Sequence, residues 1–164
     1  MKILIIVISI MIVTGFLWYR SASAQPEVPP LAIDDNDPEM REARARAKAT
    51  LAEFVDLYRK HPDGAMVKWP FLSSTGTTEY LGAEVLSLEG EALTIRLVTP
   101  PVTHTGTVER VHTVPLKEIV DWVIVLPGDK RKGGFTMRAM FNAARAQWGG
   151  LPEELKLEEA KYMD

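Results

Sequence analysis

The hydrophobic pattern changes character several times along the chain. From Ile3 to Tyr19 apolar residues run together, interrupted only by Ser9, Thr14 and Gly15. From Gln25 to Asn36, prolines at 26, 29 and 30 and the pair Asp34–Asp35 leave too little apolar surface to pack, which predicts an extended linker. Helical spacing follows. Asp37 ahead of Pro38 is a start signal, a side-chain acceptor at the N-cap before a proline that needs no hydrogen bond. Met40, Ala43, Ala47, Leu51, Phe54 and Tyr58, with Val55 beside them, recur three and four apart and predict one helix running to about Lys60. Arg41, Arg44, Arg46 and Lys48 fall mostly off that stripe and read as its solvated face. His61-Pro62-Asp63-Gly64 ends the helix.

Beyond Ala65 the period shortens to that of strands. Met66 to Phe71 is the first, with Pro70 pointing to an edge or an early stop. Gly82–Leu88 and Ala92–Val98, joined by Glu89-Gly90-Glu91, read as a hairpin. Its second arm alternates Leu93, Ile95 and Leu97 with Thr94 and Arg96. Thr107 to Val114 is a further strand with imperfect alternation, and Pro115-Leu116-Lys117-Glu118 a helical turn. Val120 to Leu126 is the most apolar run and is expected at the centre of the sheet. Residues 127–134 read as a polar connection. A second helix then starts with Thr136 as its N-cap and buries Met137, Met140, Phe141, Ala144 and Trp148, until Gly149-Gly150 and Pro152 stop it. Residues 151–164 are an acidic tail, helical or frayed. The expected domain, residues 37–150, is α+β: an N-terminal helix, about five antiparallel strands in a curved sheet or partial barrel, and a C-terminal packing helix.

Composition narrows the function. The 164 residues carry 19 Lys+Arg against 22 Asp+Glu, three His and no Cys. A chain without Cys has no disulfide, no thiolate metal site and no Cys nucleophile. A formal charge of −3 argues against nucleic acid as a partner. Lys2, the apolar run and the small-x-small site at Ala22 and Ala24 form a secretory signal, with cleavage before Gln25. The alternative is an uncleaved anchor, in which residues 3–19 hold the protein to the membrane. Seventeen helical residues rise roughly 25 Å, a little short of a hydrocarbon core of about 30 Å. Either way the expected location is the cell envelope, as a periplasmic, extracellular or membrane-anchored protein.

Candidate chemistry is sparse. His61, His104 and His112 lack metal-ligand spacing. Ser73 or Ser74, His112 and Asp121 form a hydrolytic triad on paper only, without a nucleophile elbow. Glu89 and Glu91 read as a solvated turn pair. Two clusters stand out. Lys130, Arg131 and Lys132 precede Gly133-Gly134 at a helix start, where backbone N–H groups and the helix dipole favour an anion, and Arg138 lies one turn further on. Asp121-Trp122 pairs a carboxylate with a large indole. It is expected to be structural, Asp121 pairing with Arg138 while Trp122 fills the core, or else a binding groove with Trp122 as its anchor.

Three segments carry a family likeness. They are Ala43 to Asp56, with Ala47-x-x-Thr50-Leu51-x-x-Phe54; Val114 to Val125, with the Asp121-Trp122 pair; and Gly133-Gly134-Phe135-Thr136-Met137-Arg138 through Met140. Together they resemble bacterial domain-of-unknown-function family 2314, which includes the YegJ-like proteins. The chain departs from that pattern at Tyr80-Leu81-Gly82 in place of His-x-Trp, at Val98-Thr99-Pro100 in place of Asn-Glu-Pro, and at residues 103–107, where a Gly-Asp is replaced. The resemblance implies a fold and no reaction. The reading is a non-catalytic, exported or tethered domain that binds a protein or another envelope component, without cofactor or metal. The alternative is a small binder or enzyme for an anionic, phosphate-bearing ligand, using Lys130, Arg131, Gly133, Gly134, Thr136 and Arg138.

Overall fold

The computed structural model describes residues 31–163 except 32 and 35. The signal or anchor expected at residues 1–24 lies outside them. Among the described residues no helix is long and apolar enough to cross a membrane.

The first helical stripe is divided in two. Helix α1, Pro38–Ala49, starts where Asp37 Oδ1 accepts the backbone N–H groups of Glu39 and Met40. Helix α2, Leu51–Lys60, continues after Thr50, whose φ of −107° and ψ of 15° break the helical run. The Thr50 hydroxyl lies 2.9 Å from Arg46 O and 3.2 Å from Ala47 O, the back-bonding by which a threonine bends a helix. The expected single helix is thus two segments of one amphipathic stripe.

Six antiparallel strands form one open sheet in the order β4-β3-β2-β1-β5-β6. They are β1 (Ala65–Leu72), β2 (Thr78–Glu89), β3 (Ala92–Leu97), β4 (Val111–Pro115), β5 (Asp121–Leu126) and β6 (Lys130–Gly133). The centre of the sheet is the β2–β1 pair, while β5 lies one strand in from the edge, between β1 and β6. β1 pairs with β2 over Met66–Leu72 and with β5 only over Ala65–Lys68. Pro70 is tolerated there because β5 has already ended its pairing, so no ladder bond is lost on that side. The β2–β3 hairpin carries a bulge between Val85 and Ser87, which leaves Leu86 unpaired and 41% exposed. The fourth strand is shorter than its hydrophobic run implied, because residues 98–110 form a loop. β6 corrects the polar connection expected after Pro127. Its basic residues do not alternate in hydropathy, and it exists because β5 offers a free edge.

One face of the sheet is covered by the end of α1 and by α2. Phe54, Leu81, Leu93, Ile95, Trp122 and Ile124 form the centre of that core, each at most 1% exposed. Burying a side chain of this size contributes about 1.5–3 kcal/mol. Helix α3, Phe135–Trp148, packs along α1 in a second core of Met40, Ala43, Met137, Met140, Phe141 and Ala144. Leu31 and Leu151 close this second core, at 3% and 7% exposed. Leu31, within the expected 25–36 linker, is thus packed, while residues 25–30, 32 and 35 of that linker lie outside the described residues. The acidic tail is also ordered: helix α4, Glu153–Glu159, is followed by Lys161–Met163 lying beside β6.

Candidate functional site

Asp121 opens β5, and its side chain reaches the first turn of α3. Oδ1 accepts the N–H groups of Trp122 (2.9 Å) and Phe135 (3.1 Å). Oδ2 accepts the N–H (2.8 Å) and the hydroxyl (2.5 Å) of Thr136. The N-cap of α3 is therefore Gly134, not Thr136, and the capping acceptor comes from another strand. Lys68 on β1 donates to Thr136 Oγ1 at 3.0 Å and supplies the neighbouring positive charge. The expected Asp121–Arg138 pair does not form, since Lys68 and Thr136 occupy that role. Burial pushes the Asp121 carboxyl above its ordinary range, while Lys68 and the bonds from Thr136 and Trp122 oppose the shift.

Trp122, on the opposite side of β5, ties the layers together. Its indole N–H lies 3.2 Å from both Ala47 O and Thr50 Oγ1, the groups at the α1–α2 break. Its ring meets Phe54 at 5.7 Å and Phe135 edge-on at 5.8 Å. Gly133 (φ +85°) and Gly134 (φ +65°) make the turn into α3. A Cβ on Gly133 would stand 2.3 Å from Trp122 O, and one on Gly134 would stand 2.3 Å from a Tyr162 ring carbon. These glycines permit a close approach, but the approaching groups are Trp122 and Tyr162. The helix N-terminus offered to an anion already holds the chain's own Asp121 carboxylate.

The basic run disperses along β6. Lys130 is exposed, and Lys132 Nζ is 3.5 Å from Glu53 on α2. Arg131 forms a buried ion pair with Glu158 and donates to the Tyr162 hydroxyl at 3.4 Å. Burial opposes charge on Arg131, but Tyr162 and the Glu158 carboxylate outweigh it and raise its pKa. Arg138 points toward the tail, with Nη1 3.5 Å from Met163 O. It also lines a cleft of about 210 Å³ between α1 and α3, opposite Glu39 and Glu42. The structure thus gathers Asp121, Gly134 and Thr136 around one helix start. Arg131 and Arg138 face the tail.

Hydrophobic periodicity gave no sign of a second polar centre, at the far end of β1 and β2. Glu79, 5% exposed, accepts the N–H groups of Val102 (2.7 Å) and Thr103 (2.9 Å) and the Thr103 hydroxyl (2.6 Å). Ser73 bonds Thr103, and Ser74 bonds Thr105, each at 2.9 Å. His104 Nδ1 accepts Ser74 N–H, and its ring packs on Phe71 at 5.3 Å. His112 packs on Trp69 at 5.0 Å, with Nε2 2.7 Å from Glu109 O. The serines, His112 and Asp121 thus have three separate sets of partners, and the paper triad is not assembled. Among the described residues no cluster of three His, Asp or Glu converges as a metal site requires.

These bonds pin the 98–110 loop over the β1–β2 turn. Leu72 and Val102 are 68% and 65% exposed, and Val98 and Val111 are 43% and 47% exposed. Beneath the loop lies a groove of about 320 Å³, lined by Leu97, Val98, Pro100, Pro101, Val108 and Arg110 among others. Of the residues that carry this end, the exposed valines are ordinary strand residues in sequence, and only Thr99-Pro100-Pro101 marks a loop.

No curated protein and no solved structure matches the chain. Over residues 37–148 it matches the family described as "Uncharacterized protein conserved in bacteria (DUF2314)", and it belongs to that family.

Proposed function

We propose that this protein is a non-catalytic binding domain of the bacterial cell envelope, delivered there by residues 1–24. It holds a protein partner on the apolar end of its sheet, where the β1–β2 turn meets the 98–110 loop. The observation that carries this reading is the exposure of three apolar side chains on the joined β1–β2 turn and 98–110 loop, Leu72, Val98 and Val102, with Val98 also lining the groove beneath the loop. Exposed apolar surface costs solubility and is retained where it is covered by a partner. The loop that presents it is fixed by the buried Glu79 carboxylate and three hydroxyl contacts, so little ordering entropy is lost on binding. The departures from the family pattern at 80–82, 98–100 and 103–107 fall at this same end. The residues shared with that pattern, Asp121, Trp122, Gly133, Gly134 and Thr136, are spent on internal packing.

Full-length protein carrying Leu72→Asp and Val102→Asp tests the reading. Both side chains point to solvent, so melting should match the wild type. Capture of the envelope protein that co-purifies with the wild-type chain should fall about tenfold or more. Equal capture by the two proteins, or no specific capture by the wild type, overturns the proposal.

A further inference from the structure

Edge strand β6 is already occupied by a ligand, and the ligand is the chain's own C-terminus. Arg131 N–H donates to Lys161 O at 2.8 Å, and Met163 N–H donates to Arg131 O at 2.8 Å, which sets residues 161–163 parallel to β6. Three side-chain contacts fix the register. The Tyr162 ring lies against Gly134 in a space that a Cβ would fill. The Arg131 guanidinium sits 5.6 Å from the centre of that ring. Glu158, one turn earlier, buries its carboxylate against Arg131 and accepts from Lys161 at 3.0 Å.

This is the chemistry by which a sheet edge reads a peptide: main-chain pairing supplies affinity, while a seat for one side chain and a charge pair supply specificity. The strap lies beyond residues 37–148, the part that matches the family, and joins it through Gly149-Gly150, with Gly149 at φ +74°. Its outer surface stays in solvent, with Leu157 63% and Met163 36% exposed. At the opposite edge β4 pairs with β3 alone among the described residues.

We infer that β6, Gly134 and Arg131 form a binding site for a protein segment of the pattern Glu-x-x-Lys-Tyr, a helical turn whose end runs extended beside β6, which the chain's own strap occupies until a partner's segment displaces it. The site lies apart from the apolar end and stands or falls independently of it. A tethered strap competes at an effective concentration near the millimolar range, so a free segment binds the wild type weakly. Weakening the strap while leaving β6 intact should expose the site.

The probe is a labelled peptide of residues 151–164, titrated into full-length wild type and full-length Tyr162→Ala. The variant should bind the peptide about tenfold or more tightly than the wild type. Adding Arg131→Met to the variant should abolish that gain, and a peptide with alanine at its own tyrosine should not bind. Equal affinity for both proteins, or no binding to a variant that keeps its circular dichroism, overturns the inference. Hydrogen exchange on the wild type decides the matter even if the variant does not fold. The Arg131 and Met163 amides should exchange at least about tenfold faster than those of β1. Exchange as slow as β1 would make the strap a fixed part of the core and overturn the proposal.

Discussion

Glu79 and Asp121 are both buried carboxylates, and their environments shift them in opposite directions. Burial raises Glu79, but the bonds from Thr103 and Val102 outweigh it, and its carboxyl lies below its ordinary value of 4.5. A depressed folded value means that the ionised group adds stability above its unfolded value, and that this is lost as pH falls through the folded value. Glu79→Gln should therefore cost about 1–3 kcal/mol at neutral pH, the range for stranding buried partners. The gap from wild type should narrow as pH drops below about 4.5, as read by urea unfolding at several pH values. For Asp121 the sign is reversed. Its raised value means that ionisation itself subtracts stability as pH rises through the folded value, and the four bonds it accepts offset that loss. Sequence marked Asp121 through its neighbour Trp122 and its helix-start context. It gave no mark to Glu79, Lys68 or Glu158, because a carboxylate or ammonium becomes a buried anchor only through residues distant in the chain.

Among elements, α3 shows how a helix can be legible while its beginning is not. Its stripe from Met137 to Ala144 announced it, yet its cap is borrowed from β5 across the sheet edge. A sequence window sees Thr136 as the natural N-cap and has no view of the Asp121 oxygens. Asp121→Ala should leave the Phe135 and Thr136 N–H groups without their acceptor, at a cost of about 1–3 kcal/mol in denaturant unfolding. Unchanged stability would show that the cap contributes nothing. The same blindness applies to β6 and to the α1–α2 break. Lys130-Arg131-Lys132 carries no strand periodicity, and Thr50 breaks a continuous apolar stripe without a proline or glycine. In each case a partner on another element, β5 for the strand and the Trp122 indole for the break, completes the local structure.

In the whole molecule, the α+β class and the hairpin were readable because alternation and helical spacing are properties of neighbouring residues. The strand order was not, since β1 pairs with β5 across the intervening β2–β4 excursion. Trp122 is where these long-range choices meet, touching the helix break, the sheet and the start of α3 in one side chain. Trp122→Phe keeps an aromatic body but loses the indole N–H shared by Ala47 O and Thr50 Oγ1, while Thr50 still donates to Ala47 O. The lost bond and the volume the smaller ring leaves unfilled should together lower stability by about 1–3 kcal/mol in a single cooperative transition. Separate melting of helices and sheet would show that Trp122 does not couple them.

The reach of that indole also sets a clock on the newborn chain. Trp122 lies 75 residues after Ala47 and 72 after Thr50, the two groups its N–H meets. At 5–20 residues per second, the first helices emerge roughly 4–15 s before the residue that locks them is made. During that interval the stripe of Ala47, Leu51 and Phe54 has no sheet to cover it. A chain bound for export under the envelope reading gains from this delay, because it stays threadable while a translocation channel engages its N-terminus, and it locks only after most of its length has been synthesised.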